Sequence, residues 1–387
     1  MNIVLVNTAH VVDSKGGAEK VLCDMANALT ARGHEVTVAC CENRQGTTGF
    51  PLDPAVRFIN AGACPTPWTL HKKIRKLRSL SFSHNTRQRK RALLEAEFLG
   101  VKLRSALDDI TPDIFVCFQL NSALAIKKAY GTSVPIITML HCNPVIFPIL
   151  DVLASEVSQL GLIQVLLPIY ADYVRQKIPS ADVICIPNTV PQYSLHADRS
   201  AKRIIHVGRV VPEKRQHLVV EAFSLIRNRF PDWKVEFWGD LQAKPEYTRR
   251  LKDRIAQLNL QDCVHLCGTS NNIPEKLLAS SIFVFPSENF EGFPLALTEA
   301  MAMGLAVVGT REAAAVEALV HDAASGLLVE SNAQDLARAL DKLMQNSQLR
   351  ETLGNTAQKE MASYAPKAIW DLWDDLIQKT VVSFKAS

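Results

Sequence analysis

Two glutamates, Glu291 and Glu299, stand in a mostly apolar stretch, Pro286-Ser287-Glu288-Asn289-Phe290-Glu291-Gly292-Phe293-Pro294-Leu295-Ala296-Leu297-Thr298-Glu299-Ala300-Met301-Ala302-Met303-Gly304. Pro294 suits the first position of a helix and Gly304 suits its stop. That spacing puts Glu291 in a loop and Glu299 inside the helix. A carboxylate in an apolar helix is costly unless it is hydrogen-bonded, and a ribose diol offers it two donors. The backbone of Gly292, Phe293, Pro294 and Leu295 would face a phosphate or a sugar hydroxyl. The alternative is a pair of ordinary exposed glutamates.

A second block, Val207-Gly208-Arg209-Val210-Val211-Pro212-Glu213-Lys214-Arg215, follows an apolar run and precedes a helical one. Gly208 lets a ligand approach the backbone closely. Arg209 and Lys214 place two cations beside a helix start, where they oppose the macrodipole unless an anion such as a diphosphate sits between. A solvated basic loop is the competing reading. A third block, Ser14-Lys15-Gly16-Gly17-Ala18-Glu19, also opens a helix, and the free amides around Gly16 and Gly17 offer an anion site. It reads equally well as a structural turn, since the G-x-G-x-x-G spacing of dinucleotide binding is absent.

These blocks need strands to hold them. Continuous apolar runs of four to seven residues, rather than alternation, recur at 2–7, 35–41, 56–59, 114–118, 136–140 and 183–186, and a second series of strands is read at 203–207, 234–238, 264–266, 282–285 and 306–308. Such runs suit strands covered on both faces, and the helical segments between them give an α/β pattern of parallel sheets. The helical stretches include 18–32, 213–229, 246–258, 333–345 and 349–363. At 387 residues the chain exceeds what one core supports. The reading is two doubly wound Rossmann-like domains, 1–190 and 200–365, with a Trp-bearing C-terminal helix in 366–387 returning to the first. Ligands of such sheets lie at the carboxyl ends of the strands, so two facing sheets imply a cleft.

On these residues the chain resembles the family-4 glycosyltransferases of the GT-B fold, nearly end to end. The Gly16-Gly17-Ala18-Glu19 opening, Ile186-Pro187-Asn188, Gly208-Arg209 with Pro212-Glu213-Lys214, and the E-x7-E block with its Ala-Met-Ala-Met-Gly tail carry the resemblance. It implies a retaining hexosyltransferase with a nucleotide-sugar donor, of UDP type, and a saccharide acceptor that is lipid-linked or a lipopolysaccharide. It implies Arg209, Lys214, Gly16, Gly17 and the 292–295 loop on the donor diphosphate, Glu299 on the ribose, and Glu291 at the transferred sugar. It also implies a role for His141 near that sugar. Gly239-Asp240-Leu241 stands where many relatives have Gly-Asp-Gly, and Cys142-Asn143 follows His141. No Asp-x-Asp loop suited to a metal beside a diphosphate is evident. The expected enzyme is therefore metal-independent and needs no cofactor, with the leaving group stabilised by side-chain cations. Only Glu291 is an evident carboxylate near the sugar, which favours a front-face route over double displacement. A nucleotide-sugar epimerase and a non-catalytic nucleotide-sugar-binding protein are the alternatives.

Hydrophobic residues at 48% and charged residues at 21% of the chain exclude a disordered protein. Nine scattered cysteines, several inside apolar runs, and the absence of a basic, apolar leader point to a reduced, cytoplasmic protein. Charge is uneven. From His71 to Arg104 there are eleven Lys or Arg against Glu95 and Glu97, a local +9 on a chain whose total is +4. Lys72, Lys73, Arg75, Lys76, Arg78, Arg87, Arg89, Lys90 and Arg91 form a candidate face for an anionic membrane or acceptor; a solvated helical face is the alternative. No aromatic residues alternate with these charges, so nucleic acid is not expected. The protein is read as cytoplasmic, or peripheral on the inner face of the cytoplasmic membrane.

Overall fold

The computed structural model describes residues 1–62, 84–146 and 149–386. Lys72, Lys73, Arg75, Lys76 and Arg78 of the candidate basic face lie outside the described residues. The chain divides into two compact units, Met1–Asn188 with Lys367–Ser387, and Thr189–Pro366.

In the first unit seven short strands form one parallel sheet. They are β1 (Asn2–Val6), β2 (Glu35–Cys40), β3 (Arg57–Asn60), β4 (Ile114–Cys117), β5 (Ile136–Leu140), β6 (Leu162–Val165) and β7 (Asp182–Cys185), in the order β3-β2-β1-β4-β5-β6-β7. The order reverses between β1 and β4. Helix Gly17–Thr30 buries Val21, Leu22, Met25 and Leu29, the spacing of one helical face. Gly33, just past its end, supplies a positive φ of 86° that a side chain disfavours. The C-terminal helix Pro366–Ala386 presents Ile369, Trp370, Trp373, Ile377 and Val381 as a buried stripe. Arg32–Asp371 at 2.6 Å, His34–Asp374 at 2.8 Å and Lys385–Asp113 at 2.8 Å tie its polar flank to this unit.

The second unit holds β8 (Arg203–Val207), β9 (Lys234–Trp238), β10 (Val264–Gly268), β11 (Ile282–Phe285), β12 (Ala306–Thr310) and β13 (Gly326–Val329), all parallel, in the order β10-β9-β8-β11-β12-β13. Its switch point lies between β8 and β11. Every residue of β11 and β12 is buried, as continuous apolar runs require. Phe223, Phe237, Trp233 and Leu340 are among the core side chains. Gly304 ends helix Leu295–Ala302 with φ of 74°, and the chain there runs so close to helix Ser347–Met361 that a Cβ on Gly354 would lie 2.0 Å from the Gly304 carbonyl oxygen.

Three local expectations change. β6 had no counterpart in the sequence reading; its buried Gln164 is accommodated because the side-chain amide donates to the backbone oxygens of Val165 and Ile186. β13 had no counterpart in the sequence reading. The helix expected from Glu213 starts at Gln216: Pro212–Lys214 is a single 3-10 turn, and Arg215 breaks it with φ of 47°. No described helix is long and apolar enough to cross a membrane. The eight described cysteines are free thiols.

Candidate functional site

The two most informative blocks leave the strands that flank the switch point of the second sheet, β8 and β11. This is where open α/β sheets bind ligands. Backbone bonds lock the neighbouring loops together. Gly208 N–H donates to Trp238 O at 2.9 Å, Val210 N–H to Asp240 O at 3.0 Å, and Gly239 N–H to Gly268 O at 2.8 Å. Gly239, at φ of 151°, passes so near that a Cβ would lie 2.1 Å from the Gly208 carbonyl oxygen. The glycine of Gly239-Asp240-Leu241 is thus fixed by this crossing. Glu288 N–H donates to Glu213 O at 2.9 Å and joins the β8 loop to the β11 loop.

Arg215 clamps that junction. Its guanidinium meets Glu288 at 3.2 Å and pairs with Glu312, while it also donates to Ser331. Asn289 Oδ1 accepts from Ala314 N–H at 2.9 Å at the start of helix Ala314–Leu319, satisfying one of its free amides. With Arg215 spent on the scaffold, Arg209 and Lys214 remain as the cations of the loop. The Arg209 side chain is exposed. Lys214 Nζ pairs with the Glu291 carboxylate and lies 4.9 Å from the Phe285 ring centroid and 5.3 Å from that of Phe290. The side chains of Lys214 and Glu291 are only 13% and 15% exposed. Their interaction is therefore weakly screened.

Gly292, Phe293 and Pro294 are buried, and the Phe293 ring packs edge-on against Tyr364 with centroids 5.4 Å apart. Pro294 is the N-cap rather than the first residue of helix Leu295–Ala302. Glu299 sits half-buried one turn into it. The Tyr193 phenol is raised above its ordinary range by burial and, secondarily, by the Glu299 charge, which places the two side chains in one environment.

Beneath Lys214 a buried relay holds the β8 loop. His206 is fully buried, and its Nδ1 contacts the Val284 carbonyl at 2.9 Å. A carbonyl only accepts, so Nδ1 carries the proton and Nε2 is the acceptor. The Gln216 amide nitrogen lies 3.3 Å from Nε2 and 2.8 Å from the Arg209 carbonyl, and donates to both. Burial drives the His206 imidazole down to about 4; the Val284 bond opposes this and the Lys214 charge adds to it.

The candidate residues of the first unit have a different character. Gly16 is the N-cap of helix Gly17–Thr30, and a Cβ there would lie 2.0 Å from Glu19 Oε2. The Glu19 carboxylate therefore lies beside the Gly16 backbone at its own helix start. That puts a negative charge where the sequence suggested a phosphate. His141 follows β5, stacks on Phe118 with centroids 4.9 Å apart, and is driven down to about 4 by burial. Its Nε2 is sealed and has no hydrogen-bond partner. Of the described basic residues, Arg89 is held by Glu156 at 2.5 Å and Arg91 by Glu95 at 2.8 Å; both arginines stand on helix His84–Ala106, which also carries Arg87 and Lys90.

Comparison with known proteins decides the family. Residues 16–190 match the glycosyl transferase 4-like domain and residues 194–360 match glycosyl transferases group 1. The chain belongs to the GT-B glycosyltransferases. An uncharacterized glycosyltransferase of Haemophilus influenzae is 24% identical over 95% of this chain and 97% of its own length. An exopolysaccharide phosphotransferase of Streptomyces coelicolor is 30% identical over 51% of this chain, and the match spans only 21% of that protein. A Campylobacter jejuni enzyme, named as a diphospho-undecaprenol-linked 4-alpha-N-acetylgalactosaminyltransferase, is 30% identical over 42% of this chain and 43% of its own. Among solved structures, the sucrose-phosphate synthase of Thermosynechococcus elongatus superposes with a TM-score of 0.79 at 18% identity, covering 100% of both chains. Staphylococcus aureus TarM, solved with UDP, gives 0.75 at 14% identity over 97% of this chain and 99% of its own.

In this glycosyltransferase the sequence reading missed three residues that build the switch-point loops of the second sheet: Arg215, Gln216 and His206. A histidine inside an otherwise apolar strand was the one available signal. The partners of Arg215 and the Val284 carbonyl that meets His206 lie 73 to 116 positions away, whereas Gln216 bonds to residues only 7 and 10 positions away.

Proposed function

We propose that this glycosyltransferase moves a sugar from a UDP-sugar to a saccharide acceptor on a lipid carrier, with retention of anomeric configuration. The carrying observation is the meeting of Lys214 and Glu291 at the switch point of the second sheet, with Arg209 and Glu299 on the same two loop-helix segments. Arg209 and Lys214 hold the diphosphate, the 292–295 backbone faces it, Glu299 takes the ribose diol and Glu291 contacts the transferred sugar. The leaving diphosphate gains charge as the glycosidic bond breaks, and fixed cations in a weakly screened site stabilise that charge. The UDP in TarM and the diphospho-undecaprenol in the Campylobacter enzyme's name support the donor and acceptor classes. A panel of nucleotide-sugars followed by ligand-observed NMR tests this. UDP-sugars should bind in preference to GDP- and ADP-sugars; a protein that binds no nucleotide-sugar contradicts the reading.

Because the charge on the leaving group is met by Arg209 and Lys214, transfer should continue in EDTA at more than half its rate. Complete loss, restored by Mg²⁺ or Mn²⁺, contradicts the assignment.

The basic helix His84–Ala106 supports a second part of the reading, that the protein works at an anionic membrane surface. Each basic residue near such a surface contributes about 1 kcal/mol. The ion pairs of Arg89 with Glu156 and of Arg91 with Glu95 reduce the contribution of those two residues. The protein should sediment with anionic liposomes at low salt and leave them at high salt. Charge-neutralising Arg87, Arg89, Lys90 and Arg91 together should cut the bound fraction at least by half; unchanged sedimentation sinks the membrane role.

A further inference from the structure

Lys214 is asked to serve two anions. In the structure its ammonium pairs with the Glu291 carboxylate, and the Phe285 and Phe290 rings flank it at 4.9 and 5.3 Å. A Cβ on Gly208 would lie 3.4 Å from the Lys214 Cε, so the side chain is confined on that side as well. An ammonium held this way has few free directions. A diphosphate that takes Lys214 must share it with Glu291 or displace it.

We propose that Glu291 is a counter-charge that competes with the diphosphate for Lys214 and thereby speeds release of the nucleoside diphosphate product. This rests on the donor reading above and adds a second role for Glu291 beside its contact with the sugar. The two ligands differ in charge. A nucleotide-sugar carries its diphosphate as a diester on both sides, whereas the product carries a free terminal phosphate with one more negative charge near pH 7. Glu291 opposes the product more than the donor because it holds, in a weakly screened site, the lysine that the product's extra charge needs most. The donor, in contrast, brings sugar hydroxyls that donate to Glu291. The carboxylate thus favours the donor and disfavours what remains after transfer.

Glu291→Gln keeps the shape of the side chain and removes its charge. Calorimetric titration of UDP and of UDP-N-acetylglucosamine into the wild type, Glu291→Gln, Lys214→Ala and the double variant tests the proposal. Glu291→Gln should tighten UDP by about tenfold, as close charge pairs do when one repulsive partner is removed. The same change should leave the nucleotide-sugar unchanged or weaker. In the Lys214→Ala background the gain for UDP should disappear. UDP affinity that is unchanged or lower in Glu291→Gln overturns the counter-charge role, while a loss of affinity in Lys214→Ala still upholds the donor reading. A gain that persists without Lys214 means direct repulsion of the product and overturns the competition. UDP binding that is indifferent to Lys214→Ala, or absent in the wild type, overturns the donor reading and this inference with it.

Discussion

Replacing Arg209 and Lys214 together with alanine is expected to lower kcat/KM for sugar transfer by about a thousandfold or more, each lost donor to a developing anion contributing about ten- to a hundredfold or beyond. The protein should stay folded. Arg209 is exposed, and its backbone is held from below by Gln216 rather than by its side chain. Removing Lys214 takes the partner lysine from Glu291 but leaves the Arg215 clamp on Glu288 and Glu312, which joins the two loops. Glu299→Ala should act differently: a loss of about ten- to a hundredfold in affinity for the whole nucleotide, seen chiefly in KM, because the ribose contact is present in ground and transition states alike. Steady-state kinetics with a melting curve for each variant separates these outcomes. Unchanged kcat/KM in the double variant means that the diphosphate lies elsewhere.

Acid should destabilise the protein between pH 6.5 and 4, and His206 should supply much of the slope. Its imidazole is held near 4 in the folded protein against an ordinary value of 6.5. The folded state therefore refuses a proton that the unfolded chain accepts. With the folded value depressed for a base, stability is fully present above 6.5 and falls as pH drops toward 4, at up to about 1.4 kcal/mol per pH unit for one histidine. His141, also driven to about 4 by burial, adds a slope of the same sign. Burial is the main cause at His206 and the Lys214 charge adds to it; protonating Nε2 would also turn a hydrogen atom toward the Gln216 amide hydrogens. Urea unfolding at pH 7 and pH 5 measures the effect. The His206→Phe variant should be less stable at pH 7, yet should lose clearly less stability on going to pH 5. A slope identical to that of the wild type assigns the acid sensitivity to other groups.

How much of this was legible in the residues themselves follows from distance along the chain. The switch-point loops were visible because glycine, proline, cation and carboxylate stand close together in sequence, and the strand before each is a plain apolar run. The parallel α/β architecture was visible for the same reason. β6 was hidden by Gln164, a polar residue whose amide is satisfied by backbone oxygens that no local pattern displays. β13 is four residues long and begins with a glycine, too short to carry a period. The break at Arg215 overrode a run of good helix formers, because its guanidinium reaches partners 73, 97 and 116 positions away.

Donor, transfer and retention meet in the stereochemistry of the product. Incubating the protein with an α-linked UDP-sugar and a lipid-linked saccharide acceptor, then reading the new anomeric proton by NMR, tests all three in one measurement. The expected result is release of UDP with one new α-glycosidic linkage on the acceptor, strongly reduced when Arg209 and Lys214 are both alanine. A β-linkage, or UDP release that the double variant leaves unchanged, contradicts the proposed chemistry.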